Sequence, residues 1–201
     1  MSLGERDRRL VRLSALIALG RWDALRALRR AAPAGEPDRS WREVLLQAHL
    51  FAGFPRVVEA AGVLEEAGGL GAPASDELED GSGSDAAGRA LFDGIYGDQA
   101  PSVRGALERF HPLLARWIGE HAYARVLARP GLAADRRELC AVAALAVQGQ
   151  ERQLASHARG AVRLGARAEE VRATLEAVSD LVEPDDLARL REVVARFTRE
   201  A

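Results

Sequence analysis

The chain has 201 residues and a formal net charge of −2, with charges of both signs mixed along its length. It contains no Lys, which excludes Schiff-base chemistry on a protein lysine and a Walker-type phosphate loop. Without a basic block we expect no nucleic-acid partner. Without an apolar signal region or a run of about 18 apolar residues we expect no membrane partner and a cytoplasmic location.

The composition also bounds the fold and the kinds of site. Ala, Leu, Arg and Glu dominate, and these residues favour helices, so the predicted fold class is all-α. Cys140 is the single cysteine, which excludes an intrachain disulfide and a thiol-based metal site. No group of His, Asp and Glu has metal-ligand spacing, so we expect neither a metal nor a cofactor.

Helical periodicity runs along most of the chain and no period of two persists. The residue pairs Ser40/Glu43 and Asp135/Glu138 have the spacing of capping boxes, which mark helix starts. Gly and Pro mark several further helix ends. The predicted helices cover about residues 6–19, 22–32, 40–52, 55–67, 85–97, 102–109, 112–127, 135–148, 151–164, 168–181 and 184–198.

One stretch between the predicted helices differs from the rest. It is rich in Gly, Ser and acidic residues, a composition typical of a flexible linker. We therefore divide the chain into a first unit, a linker and a second unit, which cover residues 1–67, 68–84 and 85–201.

The two units carry a similar pattern when the chain is shifted by 129 residues. Gly20 then falls on Gly149, and Pro55 falls on Pro184. Such residues punctuate helices rather than fill them, which favours a real duplication over a coincidence between two amphipathic hairpins. A duplicated hairpin would form an internal pseudo-dimer and favour further association of chains.

Glu138 and His157 are the candidate catalytic pair. Both lie on predicted apolar faces of two helices that run antiparallel around Gly149, and their heights differ by only about 4–5 Å. A carboxylate held against an imidazole in a buried pocket is suited to acid/base chemistry. The alternative is structural: Glu138 completes a capping box and His157 is a histidine of the core.

The first unit lacks this pair. Arg9 stands where the second unit has Glu138, and Leu28 stands where it has His157. The first unit is therefore expected to be a scaffold or one wall of a pocket. His121, next to Tyr123, is a candidate pocket residue.

A series of short motifs runs through the second unit in a fixed order. The motifs are RPGL at 129–132, REL at 137–139, a turn at Gly149, SHARGA at 156–161 and GARAEE at 165–170. The segment GRALFDGIYGD, residues 88–98, precedes them. Together they resemble the motifs and the lead-in of the carboxymuconolactone decarboxylase-like family, and the first unit is similar to a diverged second copy.

The resemblance implies an all-helical bundle of the alkylhydroperoxidase D type, built here from two tandem units. The family assembles into trimers or hexamers, so a chain with two units would form a trimer that imitates a hexamer. The peroxidase branch uses two cysteines, and these positions fall on Gln150 and Gln153. We therefore expect no thiol peroxidase activity of that type.

The other activity of the family is decarboxylation of a carboxylated muconolactone. The resemblance implies a lyase in which Glu138 and His157 supply a proton to a small carboxylated ring compound. Arg159 is then the candidate carboxylate-binding residue, with Gln150, Gln153 and His121 as further substrate-binding residues. The alternative is a non-catalytic oligomeric binding or scaffold protein of the same fold.

Overall fold

A computed structural model describes residues 3–78 and 85–198. Within these ranges the chain is helical and contains no strand, which confirms the predicted fold class. The helices are α1 (Glu5–Leu19), α2 (Trp22–Arg30), α3 (Asp38–Glu66), α4 (Ser75–Leu78), α5 (Asp85–Tyr96), α6 (Ala100–Phe110), α7 (Pro112–Trp117), α8 (Ala134–Val147), α9 (Glu151–Arg163), α10 (Ala168–Ala177) and α11 (Pro184–Phe197). Helix α7 continues as a π-helix over Ile118–Leu127, and 3₁₀ turns cover Gly97–Gln99 and Ser179–Leu181.

The helix starts reproduce the shift of 129 residues. Helices α1 and α8 begin at Glu5 and Ala134, and α2 and α9 begin at Trp22 and Glu151. Each hairpin turns at a glycine in the left-handed region, with φ of 70° at Gly20 and 67° at Gly149. A side chain is strained at such φ values, so the same turn requires glycine in both halves.

Helix α3 combines two of the predicted helices across a bend. Gly53 has φ 77° and ψ 159°, which breaks the helical path two residues before Pro55. In the second half the corresponding bend is longer, and Pro184 opens the separate helix α11. The bend sends the second part of α3 in a new direction, and Arg56 lies on that part.

The two halves share one hydrophobic core. Leu13 and Ile17 of α1 and Leu139 and Val142 of α8 are fully buried in the same cluster. The hydroxyl of Ser14 donates to the carbonyl oxygen of Cys140 at 2.8 Å across this contact. The first half is therefore packed directly behind the helix that carries Glu138.

The first part of the predicted linker is held against the first half. The guanidinium of Arg42 donates to the carbonyl oxygen of Leu70 and to the carboxylate of Glu77, with 2.7 Å to Glu77 Oε1. Leu70 is buried in the core. The rest of the predicted linker, residues 79–84, lies outside the described residues.

Both predicted capping boxes are wrong. Helix α3 begins at Asp38, and the Ser40 hydroxyl accepts a bond from Arg6 instead of capping the helix. Helix α8 begins at Ala134 after Ala133, without a side-chain cap. The two glutamates that would complete these boxes have partners on other helices: Glu43 pairs with the buried Arg137, and Glu138 pairs with His157.

Candidate functional site

Helices α8 and α9 bring the predicted catalytic pair together. The Glu138 Oε2 and His157 Nδ1 atoms are 2.8 Å apart, and both side chains are buried. Because Nδ1 is engaged with the carboxylate, Nε2 is the ring nitrogen left for the cleft that His157 lines. Phe51 of the first half contacts the His157 ring edge-on, with 5.7 Å between the ring centroids.

The electrostatics of this pair favour the charged imidazolium. Burial by itself lowers the pKa of His157, but the charge of Glu138 and its hydrogen bond outweigh burial, so that pKa is raised. An imidazolium oriented by Glu138 carries a proton on Nε2, which is the arrangement of a general acid.

A glycine on α9 makes room for the Glu138 carboxylate. A Cβ atom at Gly160 would lie 2.9 Å from Glu138 Oε2 and 2.8 Å from Ile95 Cγ2. Both distances are shorter than ordinary contacts, so any side chain at this position would displace the carboxylate or the isoleucine. The close approach of Glu138 and Ile95 thus explains why the SHARGA motif has a glycine at this position as well as a histidine.

Substitution of Gly160 with Ala is expected to lower the free energy of unfolding by about 1–3 kcal/mol, because the added methyl overpacks the core. Chemical denaturation measures this change. Gly62→Ala is the matched control, since a Cβ there meets nothing within 4 Å and α3 should gain up to about 1 kcal/mol. Equal effects of the two substitutions would contradict the close approach at Gly160.

A large open cleft reaches the His157 side of the pair. Its volume is about 1160 Å³, slightly above the usual range of about 300–1,000 Å³ for ligand sites. Ten Phe, Trp and Tyr residues occur in the chain, and six of them line this cleft. They are Phe51, Phe92, Tyr96, Phe110, Trp117 and Tyr123. Flat apolar walls of this kind suit a ring compound.

The predicted substrate-binding residues divide into two groups. Gln150, Gln153 and His121 line the cleft. Arg159 does not: its guanidinium lies over the ring of Phe197, 4.6 Å from the centroid, where α9 meets α11. In the part of the chain that the structure describes, the arginines that line the cleft are Arg56 and Arg152.

The π-helix places two polar groups at the cleft. The His121 Nε2 atom is 2.7 Å from Nε2 of His49 on α3, so this part of the cleft wall is tied to the first half. The Tyr123 hydroxyl donates to the Tyr96 hydroxyl at 3.1 Å. Burial raises the pKa of both tyrosines, so both hydroxyls remain protonated near neutral pH.

Cys140 lies in the core and not in the cleft. It is buried, and burial raises the pKa of its thiol to about 12. The buried Cys140 thiol therefore remains protonated and unreactive at physiological pH. Gln150 and Gln153, which stand where the peroxidase branch is expected to have its two cysteines, both line the cleft.

Two findings concern metals and membranes. Among the described residues, no group of three or more His, Cys, Asp and Glu side chains is arranged to hold a metal ion. In the same part of the chain, no helix has both the length and the apolar character required to cross a membrane.

Sequence reasoning missed Arg56, Phe51 and Tyr96 as cleft residues. Arg56 and Phe51 flank the bend at Gly53, and the direction of the chain after that bend does not follow from helical periodicity. Tyr96 ends α5, and its place beside the pair depends on how α5 packs on α9.

The comparison with known families agrees with this architecture. The sequence profile of the carboxymuconolactone decarboxylase family matches residues 2–66 and 112–194, one segment in each half. No curated protein matches the chain at a significant level. The matched segments include α1–α3, the Glu138–His157 pair and most of the cleft, and the chain belongs to the carboxymuconolactone decarboxylase family.

Proposed function

We propose that this protein is a decarboxylase-like lyase that acts on a small carboxylated ring compound. The observation that carries the proposal is the 2.8 Å contact between Glu138 and His157 at the wall of the aromatic cleft. Family membership supports the same class of reaction.

The proposed reaction breaks the bond between the ring and a carboxylate and releases CO₂. The electron pair of that bond stays on the ring carbon, where an adjacent carbonyl delocalises it. His157 Nε2–H then gives its proton to this carbon and becomes a neutral imidazole, which solvent reprotonates. Glu138 holds Nδ1–H throughout and thereby fixes the orientation of the ring.

A screen of carboxylated lactones and muconate-type acids tests this function. CO₂ release is measured with the wild-type protein, beside thermal shifts with the same acids and with their methyl esters. Release of CO₂ from an acid that also stabilises the protein is the expected result. Failure of every acid to release CO₂ would contradict the lyase.

A non-catalytic binding protein is the second candidate, and one observation favours it. The half that packs behind the site carries Arg9 and Leu28 in place of the pair, and Arg9 is used in an ion pair with Glu36. Thermal stabilisation by the acids without any CO₂ release would support binding alone.

We further propose that the protein associates with itself, as a trimer of two-unit chains. Four large apolar side chains on α6 and α7 are exposed, by between 41% and 72%. They are Leu113 and Leu114, together with Phe110 and Trp117, which also line the cleft, so a partner chain on this surface would border the cleft. Patches of this kind are commonly covered in an assembly. Light scattering coupled to size-exclusion chromatography gives the mass, and a monomer at micromolar concentration would contradict the proposal.

A further inference from the structure

The charge of the cleft is one-sided. Its lining includes Arg56, Arg152, His121 and His157. Within the described part of the chain, no Asp or Glu belongs to that lining, although the whole sequence has 30 Asp and Glu residues against 28 Arg. Because Glu138 stands behind His157 and not in the lining, a ligand in the cleft meets positive charge and aromatic surface.

Arg56 is oriented toward this space by a backbone contact. Its Nη1 donates to the carbonyl oxygen of Ala18, at the end of α1, and Ala18 and Leu19 also line the cleft. One nitrogen is thus used to position the guanidinium. The planar group retains further N–H donors for a second acceptor.

Arg152 lies on the same helix as His157, in the first turn of α9. Its side chain is exposed and, among the residues that the structure describes, takes part in no ion pair or side-chain hydrogen bond. The buried or half-buried Arg129, Arg136 and Arg137 are, by contrast, each paired with a carboxylate. An arginine at a cleft without a carboxylate of its own is suited to one supplied by a ligand.

We infer that Arg56 and Arg152 form an anion-binding subsite for the carboxylates of the ring compound, with one arginine from each half of the chain. The inference rests on the proposed function, since it places the ligand in the cleft beside His157. Arginine binds a carboxylate through two parallel hydrogen bonds, and the aromatic walls hold the ring.

This subsite gives the half without the Glu/His pair a direct part in binding. Arg56 is contributed by α3, which belongs to that half, whereas His157 and Arg152 come from α9. The cleft is then a site formed by both halves, and the first half determines which anions enter it.

Binding of three small probes tests the subsite directly. Phthalate, benzoate and benzyl alcohol share a ring and carry two, one and no carboxylates. Affinities are measured by isothermal titration calorimetry with the full chain at low and high salt. We expect affinity to fall in that order, and Arg56→Gln and Arg152→Gln each to weaken phthalate binding about 10-fold or more. Benzyl alcohol binding should stay unchanged in both variants.

Arg159→Gln is the comparison variant, because Arg159 lies outside the cleft on the same helix. It should leave the affinity for phthalate unchanged. The subsite is overturned if the carboxylates bind no better than benzyl alcohol, or if none of the probes binds at concentrations up to about 10 mM. It is also overturned if Arg159→Gln weakens phthalate binding and the other two variants do not.

The two proposals fail separately in this experiment. The binding titrations need no turnover and can be repeated in His157→Asn, which keeps both arginines. Tight, arginine-dependent binding without CO₂ release from any acid would overturn the lyase and support the subsite. CO₂ release that Arg56→Gln and Arg152→Gln leave at the wild-type rate and KM would overturn the subsite and support the lyase.

Discussion

Replacement of His157 with Asn is expected to lower CO₂ release by about 10²–10⁴-fold, the usual contribution of a positioned general acid. Asn is close in shape and can still hydrogen-bond to Glu138, but it has no proton to give near neutral pH. The rate of CO₂ release from the acids identified by screening measures the effect. A variant that keeps more than about a tenth of the wild-type rate would show that His157 is not the proton donor.

Ser156→Ala is the matched control for this substitution. Ser156 lines the same cleft on the same helix, and among the described residues its hydroxyl bonds only to the carbonyl oxygen of Arg152, at 3.4 Å. Loss of that weak bond should leave the rate within a few-fold of wild type. Circular dichroism and thermal melting of both variants separate a loss of catalysis from a loss of folded protein.

The pH dependence provides a second readout through Glu138. The Glu138 charge contributes to the raised pKa of His157, and Glu138→Gln removes that charge, so the pH above which activity is lost should move downward. The free energy of unfolding should depend on pH with the same sign, because the same proton is involved. Because the raised pKa means that folded protein binds this proton more tightly, the contribution is complete below about pH 6.5, the ordinary His value, and is lost as the pH rises through the folded value. An unchanged pH profile in Glu138→Gln would show that the pair does not act as a unit.

Much of the fold was predictable because its signals are local. The turns at Gly20 and Gly149 are the places where a left-handed residue ends a helix, and their spacing of 129 residues relates the two hairpins. The contact between Glu138 and His157 was also predictable, since two antiparallel helices around a short turn place residues at known heights.

The predicted capping boxes were wrong because the same residue spacing occurs at helix caps and in buried ion pairs. A glutamate three residues after a cap residue has the same spacing whether it caps the helix or enters the core. Glu43 and Glu138 enter the core because each finds a basic partner from another helix, Arg137 and His157 respectively. Local spacing carries no information about these distant partners.

The structure places Arg159 outside the cleft, and local helix geometry explains this position. Two residues on a helix span about 200°, so Arg159 points away from the face that carries His157. It instead covers Phe197 of α11. Arg56, which is distant in sequence, reaches the cleft because of the bend at Gly53.

Replacement of Glu43 with Ala is expected to lower the free energy of unfolding by about 3–5 kcal/mol. Glu43 is fully buried and accepts from Arg137 at 2.7 Å and from Arg129 at 3.2 Å. Arg137 is 1% exposed and also donates to the side-chain oxygen of Gln47 at 3.2 Å. Removal of the carboxylate leaves a buried guanidinium without its counter-charge, which costs far more than the pair itself contributes.

Urea denaturation of Glu43→Ala beside Glu66→Ala measures this difference. Glu66 pairs with Arg26 on the surface, where its side chain is 67% exposed, so its loss should cost at most about 1 kcal/mol. If Glu43→Ala is too unstable to purify, the double substitution Glu43→Met with Arg137→Met keeps the prediction testable. Removing both fully buried charges should recover folded protein, because an apolar pair of similar size needs no counter-charge and Arg129 keeps its bond to the Glu77 carbonyl oxygen. A loss below about 1 kcal/mol in Glu43→Ala would mean that water reaches this cluster and that the α3–α8 contact is less closed than the burial of Glu43 indicates.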